Sequence, residues 1–106
     1  MTMPELDEII HQPIRLRLMA ALVAIKSGES AEFTLLRDML GVTDGNLGAH
    51  LRRLEDAGYI AIHKAFVDRK PHSYISATDL GRKVFRQQVA ALEEILKGAG
   101  GMKGKK

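Results

Sequence analysis

Cysteine and tryptophan are missing from this 106-residue chain, which has only two Tyr, three Phe and three Pro. Without cysteine there is no thiol nucleophile, no disulfide and no thiolate metal site. The four histidines, His11, His50, His63 and His72, lack a His-Glu-x-x-His or similar ligand spacing. Gly41, Gly45 and Gly48 do not have the spacing of a Walker or dinucleotide loop. No apolar run approaches the roughly 20 residues that a membrane-spanning helix needs, and no secretory pattern opens the chain. The expectation is a protein that is not an enzyme, with no cofactor, no metal site and no membrane partner.

What is present suits one small domain, since 45% apolar residues supply a modest core. The formal charge is +3, but Lys103, Lys105 and Lys106 account for all of it, so distribution carries the argument. Residues 1–49 hold four Lys or Arg against seven Asp or Glu, whereas residues 50–86 hold eight against four. A chain with one cationic half suits a polyanion partner, and binding of that kind weakens steeply with salt.

The basic half begins with two helical patterns. Phe33, Leu36 and Leu40 recur at spacings of three and four, with Leu35 and Met39 beside them, giving a short helix an apolar face that Gly41 ends. Thr43 is a good N-cap for a second helix, in which Leu47, Leu51 and Leu54 recur until Gly58 stops it. Two helices across so short a break form a helix-turn-helix. At about 100° per residue, Leu51 and Leu54 lie within about 40° of Leu47 and fix the buried side. Gly45, Asn46, Ala49, Arg52, Arg53 and Asp56 then point outward, where a recognition helix reaches base edges. Asn bonds adenine, Ala touches a thymine methyl, and Arg takes guanine or phosphate. His50 lies about 60° from Leu47, which predicts a half-buried ring against the hairpin that follows.

Residues 59–64 are rich in β-formers and residues 73–76 can pair with them, which leaves 66–72 as a hairpin tip. Arg69 and Lys70 in that tip suit phosphates or a narrow minor groove. Thr78 caps a long last helix, with Asp79 in its first turn. There Val84, Phe85, Val89, Leu92, Ile95 and Leu96 form an apolar stripe broader than a surface helix needs. Together with Leu6, Ile9 and Ile10 near the start of the chain, these residues are expected at a dimer interface, because palindromic DNA sites match two-fold dimers. Between the ends, Pro13 suits a first helical turn, and Ile14, Leu18, Leu22 and Ile25 mark a scaffold helix ending near Gly28. The expected domain spans 1–97, with a flexible Gly/Lys tail at 98–106.

These residues resemble the small winged helix-turn-helix transcriptional regulators related to the MarR and ArsR groups. The likeness is densest in Thr43-Asp44-Gly45-Asn46-Leu47-Gly48-Ala49-His50-Leu51 and in Leu54-Glu55-Asp56-Ala57-Gly58-Tyr59-Ile60. It continues through Lys64, Phe66, Arg69-Lys70-Pro71, and Thr78 to Gly81-Arg82. Upstream, His11-Gln12-Pro13-Ile14-Arg15-Leu16 looks like the start of the family's first long helix. The resemblance implies a mainly α fold with a small β-hairpin wing, in a cytoplasmic homodimer on double-stranded operator DNA. Helix 43–57 is expected in the major groove and wing 66–72 on the backbone or minor groove, with Thr43, Asn46, Ala49, Arg52, Arg53, Arg69 and Lys70 as contacts. One departure is Gly48, where the family usually carries Ser. Other readings are a winged-helix protein-interaction module, which should expose aliphatics or aromatics on that outer face, and a regulator responsive to a small-molecule effector.

Overall fold

The structure is a computed structural model that describes residues 5–103. Helix α1 (Glu8–His11) is a single turn whose N-cap, Asp7, accepts a bond from the Ile10 amide at 2.9 Å. Gln12 repeats the device for α2 (Pro13–Ala24), its Oε1 accepting from the Arg15 amide at 2.9 Å, and Pro13 occupies the first turn, where its missing N–H leaves no bond unmade. The other end of α2 is held from afar. The Arg82 guanidinium donates to the carbonyls of Val23 and Ile25 at 3.1 and 3.0 Å, placing a cation at the negative pole of the helix.

A two-residue strand, β1 (Ala31–Glu32), leads into α3 (Phe33–Leu40). Gly41 ends α3 with φ 66°, in the left-handed region. The Thr43 hydroxyl then accepts from the Asn46 amide at 3.1 Å, starting α4 (Asp44–Asp56). Strands β2 (Ile60–Val67) and β3 (Lys70–Ala77) follow, and α5 (Asp79–Lys103) closes the chain. The sheet order is β1-β3-β2, all antiparallel. Ile10, Leu18, Met19, Leu22, Leu36, Leu47, Leu54 and Ile75 are wholly buried and tie helices to sheet.

The fold class is mainly α with a small β-wing, and several particulars differ from expectation. The wing is longer: Val67 pairs with Lys70, so the tip is Asp68-Arg69 alone rather than 66–72. Both tip residues have positive φ, 52° and 66°, as a two-residue turn matched to strand twist requires. Pro71 sits in the strand without loss, because β1 reaches β3 only at Tyr74 and Ile75 and leaves that edge open further out. Ile10 is not available to a partner subunit, since it is 0% exposed within the chain's own core. Leu35 and Met39 are 62% and 55% exposed, so α3 is anchored by buried Leu36 with Phe33 and Leu40 half-buried against the core.

Helix α5 runs through Lys103, past the expected boundary at 97. Residues 104–106, with Lys105 and Lys106 of the expected tail, lie outside the described residues. Among the described residues no helix is long and apolar enough to cross a membrane.

Candidate nucleic-acid interface

Packing of Leu47, Leu51 and Leu54 orients α4 so that Thr43, Asn46, Ala49, Arg52 and Arg53 are all exposed. Arg69 and Lys70 are exposed at the wing tip. The start of α4 carries an acid that would repel phosphate, and it is paired. Arg37 bonds Asp44 at 2.9 Å and Asp38 at 3.0 Å, and these bonds raise the guanidinium pKa above its ordinary value. The first-turn amides therefore keep their partial positive charge with the Asp44 carboxylate already engaged.

Arg52 and Arg53 are neighbours in sequence and part in space. Arg52 lies beside the wing, lining a cleft of about 660 Å³ with Phe33, Gly48, Leu51, Glu55, Ile62, Lys64 and Ser73. Gly48 lines that cleft with room for a methyl. A Cβ built there would have only the Arg52 Nη1, at 3.8 Å, within reach. Gly48→Ala should therefore stabilise the chain by about 0.5–1 kcal/mol, the helix-interior cost of glycine. A urea titration reads this, and unchanged or lower stability contradicts an unstrained site.

Lys64 is a cleft residue that the sequence reading did not nominate as a contact. The signal was available, because Lys64 continues the period-two series of Ile60 and Ile62 on the sheet face that looks toward α4. Phe66, 78% exposed, and Pro71 opposite it carry that face out to the tip.

His50 is half-buried, as expected, but it faces α2 and not the wing. Arg15 Nη1 lies 3.1 Å from His50 Nδ1. A guanidinium only donates, so Nδ1 accepts and the ring is neutral with its proton on Nε2. Burial first, and then the Arg15 charge, hold the His50 pKa below its ordinary value. An unfolded His50 takes up its proton near pH 6.5, whereas the folded one resists until lower pH. The native state is accordingly penalised as pH falls through and below about 6.5, and not above it. Between about pH 7.5 and 5.5 the melting temperature should fall further in the wild type than in His50→Gln, whose amide oxygen can accept from Arg15. Equal falls contradict the assignment.

The wing root is locked to the N-terminal segment. The Tyr59 hydroxyl donates to Asp7 Oδ2 at 2.6 Å. Burial, with that carboxylate, pushes the phenol up to about 12. The Asp7 amide in turn donates to Gln88 Oε1 on α5 at 2.8 Å. On the wing, His72 Nδ1 lies 3.0 Å from Glu32 Oε1, and bonds from His72 and Thr34 hold the Glu32 carboxyl below its usual range.

The residues nominated for a dimer divide along α5. Val84 and Phe85, like Ile9, are half-buried against the chain's own core, as a helix must be where it leaves the sheet. Leu92 and Ile95 are half-buried, while Val89 and Leu96 are 37% and 69% exposed. Leu6 is half-buried, in a small cleft with Val84 and Gln88.

Two helices meeting across a left-handed glycine, with the second one's outer face bare and a hairpin beside it, define a winged helix-turn-helix. The family model for the winged helix DNA-binding domain matches residues 14–96, and the chain belongs to that family. The transcriptional regulator homologue of Pyrococcus horikoshii OT3 is similar to it, with 29% identity and a TM-score of 0.78 over 88% of this chain and 89% of that one. A PadR-family transcriptional regulator of Eggerthella lenta is 25% identical, with a TM-score of 0.68 over 92% of this chain and 91% of its own. An uncharacterized protein of Methanocaldococcus jannaschii is 29% identical over 90 residues, 85% of this chain and 95% of its own. The same fold occurs in MarR-like regulators.

Proposed function

We propose that the protein is a sequence-specific DNA-binding transcriptional regulator that acts as a homodimer in the cytoplasm, with no catalytic role. The observation that carries this reading is the outer face of α4. It presents Asn46, Ala49, Arg52 and Arg53 together, exposed, on a helix fixed from behind by three buried leucines. A helix of that width fills a major groove, and those side chains suit base edges and bordering phosphates. Arg69 and Lys70 at the tip of the wing would meet the backbone or minor groove alongside. Thr43, whose oxygen already caps α4, still has a hydroxyl proton to donate to phosphate.

The protein-interaction reading is less well supported. The large exposed apolar residues nearest the interface are Leu35 and Met39 on α3 and Phe66 and Val67 on the wing, all off the outer face of α4.

For the dimer, α5 is about 37 Å long at 1.5 Å per residue, and beyond the core it leaves Leu96 bare with Val89, Leu92 and Ile95 partly covered. A second copy packing there would bury them and hold two α4 helices at one half-site spacing. Leu92→Glu is expected to convert dimers to monomers in sedimentation and to weaken binding to a palindromic duplex about a hundredfold or more, while leaving the fold intact. A variant that remains dimeric refutes the α5 interface. An effector, if one acts, would bias the distance between the two α4 helices.

A further inference from the structure

On the flank of α4 away from the wing, Arg15 and His50 have no part in the reading above, and Arg53 enters it only as one residue of the outer face. Arg15 on α2 donates from Nε to the Ile9 carbonyl and from Nη1 to His50 Nδ1. Two bonds in different directions fix a planar guanidinium, so its remaining N–H groups point to one place instead of sweeping solvent. Arg53 stands one turn beyond His50 on α4 and is exposed. The ion pairs among the described residues engage Arg37 and His72 and leave Arg15 and Arg53 without a counter-charge. The proximity is electrostatically felt: burial, and then the Arg53 charge, lower the Arg15 pKa.

We infer that Arg15 and Arg53, set on either side of His50, form a second anion site that takes a phosphate of the DNA backbone on the flank of α4 opposite the wing. The inference rests on the DNA-binding reading above and deepens it. Two like charges brought together without an acid oppose folding, and a bound phosphate relieves that repulsion while accepting several charge-assisted bonds. The dimensions agree. A major groove about 12 Å wide is nearly filled by a helix about 10–12 Å across with its side chains. Cations on both flanks of one helix then reach both bordering strands together. Arg52, with Lys64 across the cleft, faces one strand, and Arg53 with Arg15 faces the other. The adjacent arginines thus grip opposite walls of the groove, and His50 is a positioning residue that aims Arg15.

Fluorescence anisotropy of the full chain on a random-sequence duplex, across a series of NaCl concentrations, tests this. Arg53→Gln, at an exposed position that leaves the core untouched, should lower the slope of log affinity against log salt by about one and weaken low-salt binding about three- to tenfold on any sequence. Arg15→Gln should do the same, with its thermal melt measured alongside. Arg15→Lys, which keeps a charge, should retain most of the slope. Wild-type binding with an unchanged slope in Arg53→Gln overturns the site and leaves the DNA reading standing. A loss confined to one preferred sequence, at constant slope, makes Arg53 a base reader and overturns the site as well. If the wild type binds no duplex even at low salt, both readings fall together.

Discussion

Gly81→Ala is expected to destabilise the chain by about 3 kcal/mol or more, enough to leave a small domain largely unfolded at growth temperature. A Cβ at position 81 would stand 2.0 Å from the Tyr59 carbonyl oxygen and 2.8 Å from its carbon. The obstacle is backbone, which cannot rotate away as a side chain would. Tyr59 is also pinned there: its carbonyl accepts from the Thr78 amide at 3.0 Å and its hydroxyl is tied to Asp7. Thr78 adds to the junction by accepting from the Gly81 amide at 3.0 Å and donating to the Gly58 carbonyl at 2.7 Å. Moving α5 outward to admit a methyl would break these bonds and lift Val84 and Phe85 from the core. Chemical denaturation of Gly81→Ala and Gly48→Ala side by side separates the two kinds of helical glycine, one required by a close approach and the other tolerated. Near-wild-type stability in Gly81→Ala contradicts the packing of α5 on the wing root.

The second large effect concerns binding. Removing the three charges of Arg52, Arg69 and Lys70 together, each to Gln, should weaken affinity for any duplex about a hundredfold at low salt and flatten its salt dependence by about three. All three residues are exposed, so stability should change by less than about 0.5 kcal/mol per site. The loss is therefore one of contact and not of fold. Titrating random and selected duplexes in parallel reads the loss, and affinity within about threefold of the wild type would mean that the wing and the wing-side flank of α4 do not meet DNA.

Much of this architecture can be read from the chain because its stop signals are local. Gly41 and Gly58 adopt positive φ, 66° and 82°, where the helical patterns end. Thr43 and Thr78 cap the helices that follow them. Leu47, Leu51 and Leu54 are buried together, so the outward face of α4 follows from periodicity alone. What escaped the sequence depends on contacts between distant residues. Strand β1 is only Ala31 and Glu32, too short for any alternation to show. The extent of the wing was hidden because Asp68-Arg69 lacks the glycine usual in so tight a turn and because Pro71 reads as loop.

Burial of Ile10 depends on α1 folding back beneath the recognition unit, which a four-residue helix does not announce. The parting of Arg52 and Arg53 shows a further limit. The helical wheel puts both on the polar side, but what each one meets is decided by Lys64 on the wing and Arg15 on α2, residues far away in sequence.

Selection of a DNA sequence by a dimer of this chain is tested by enrichment from a pool of random duplexes at two salt concentrations, with sequencing of the retained DNA. A sequence-selective dimer should recover a palindrome whose half-sites lie about one helical turn apart, or a whole multiple of it, with binding that falls steeply from low to high salt. Negligible retention at low salt, or retention with no enriched sequence, would contradict it.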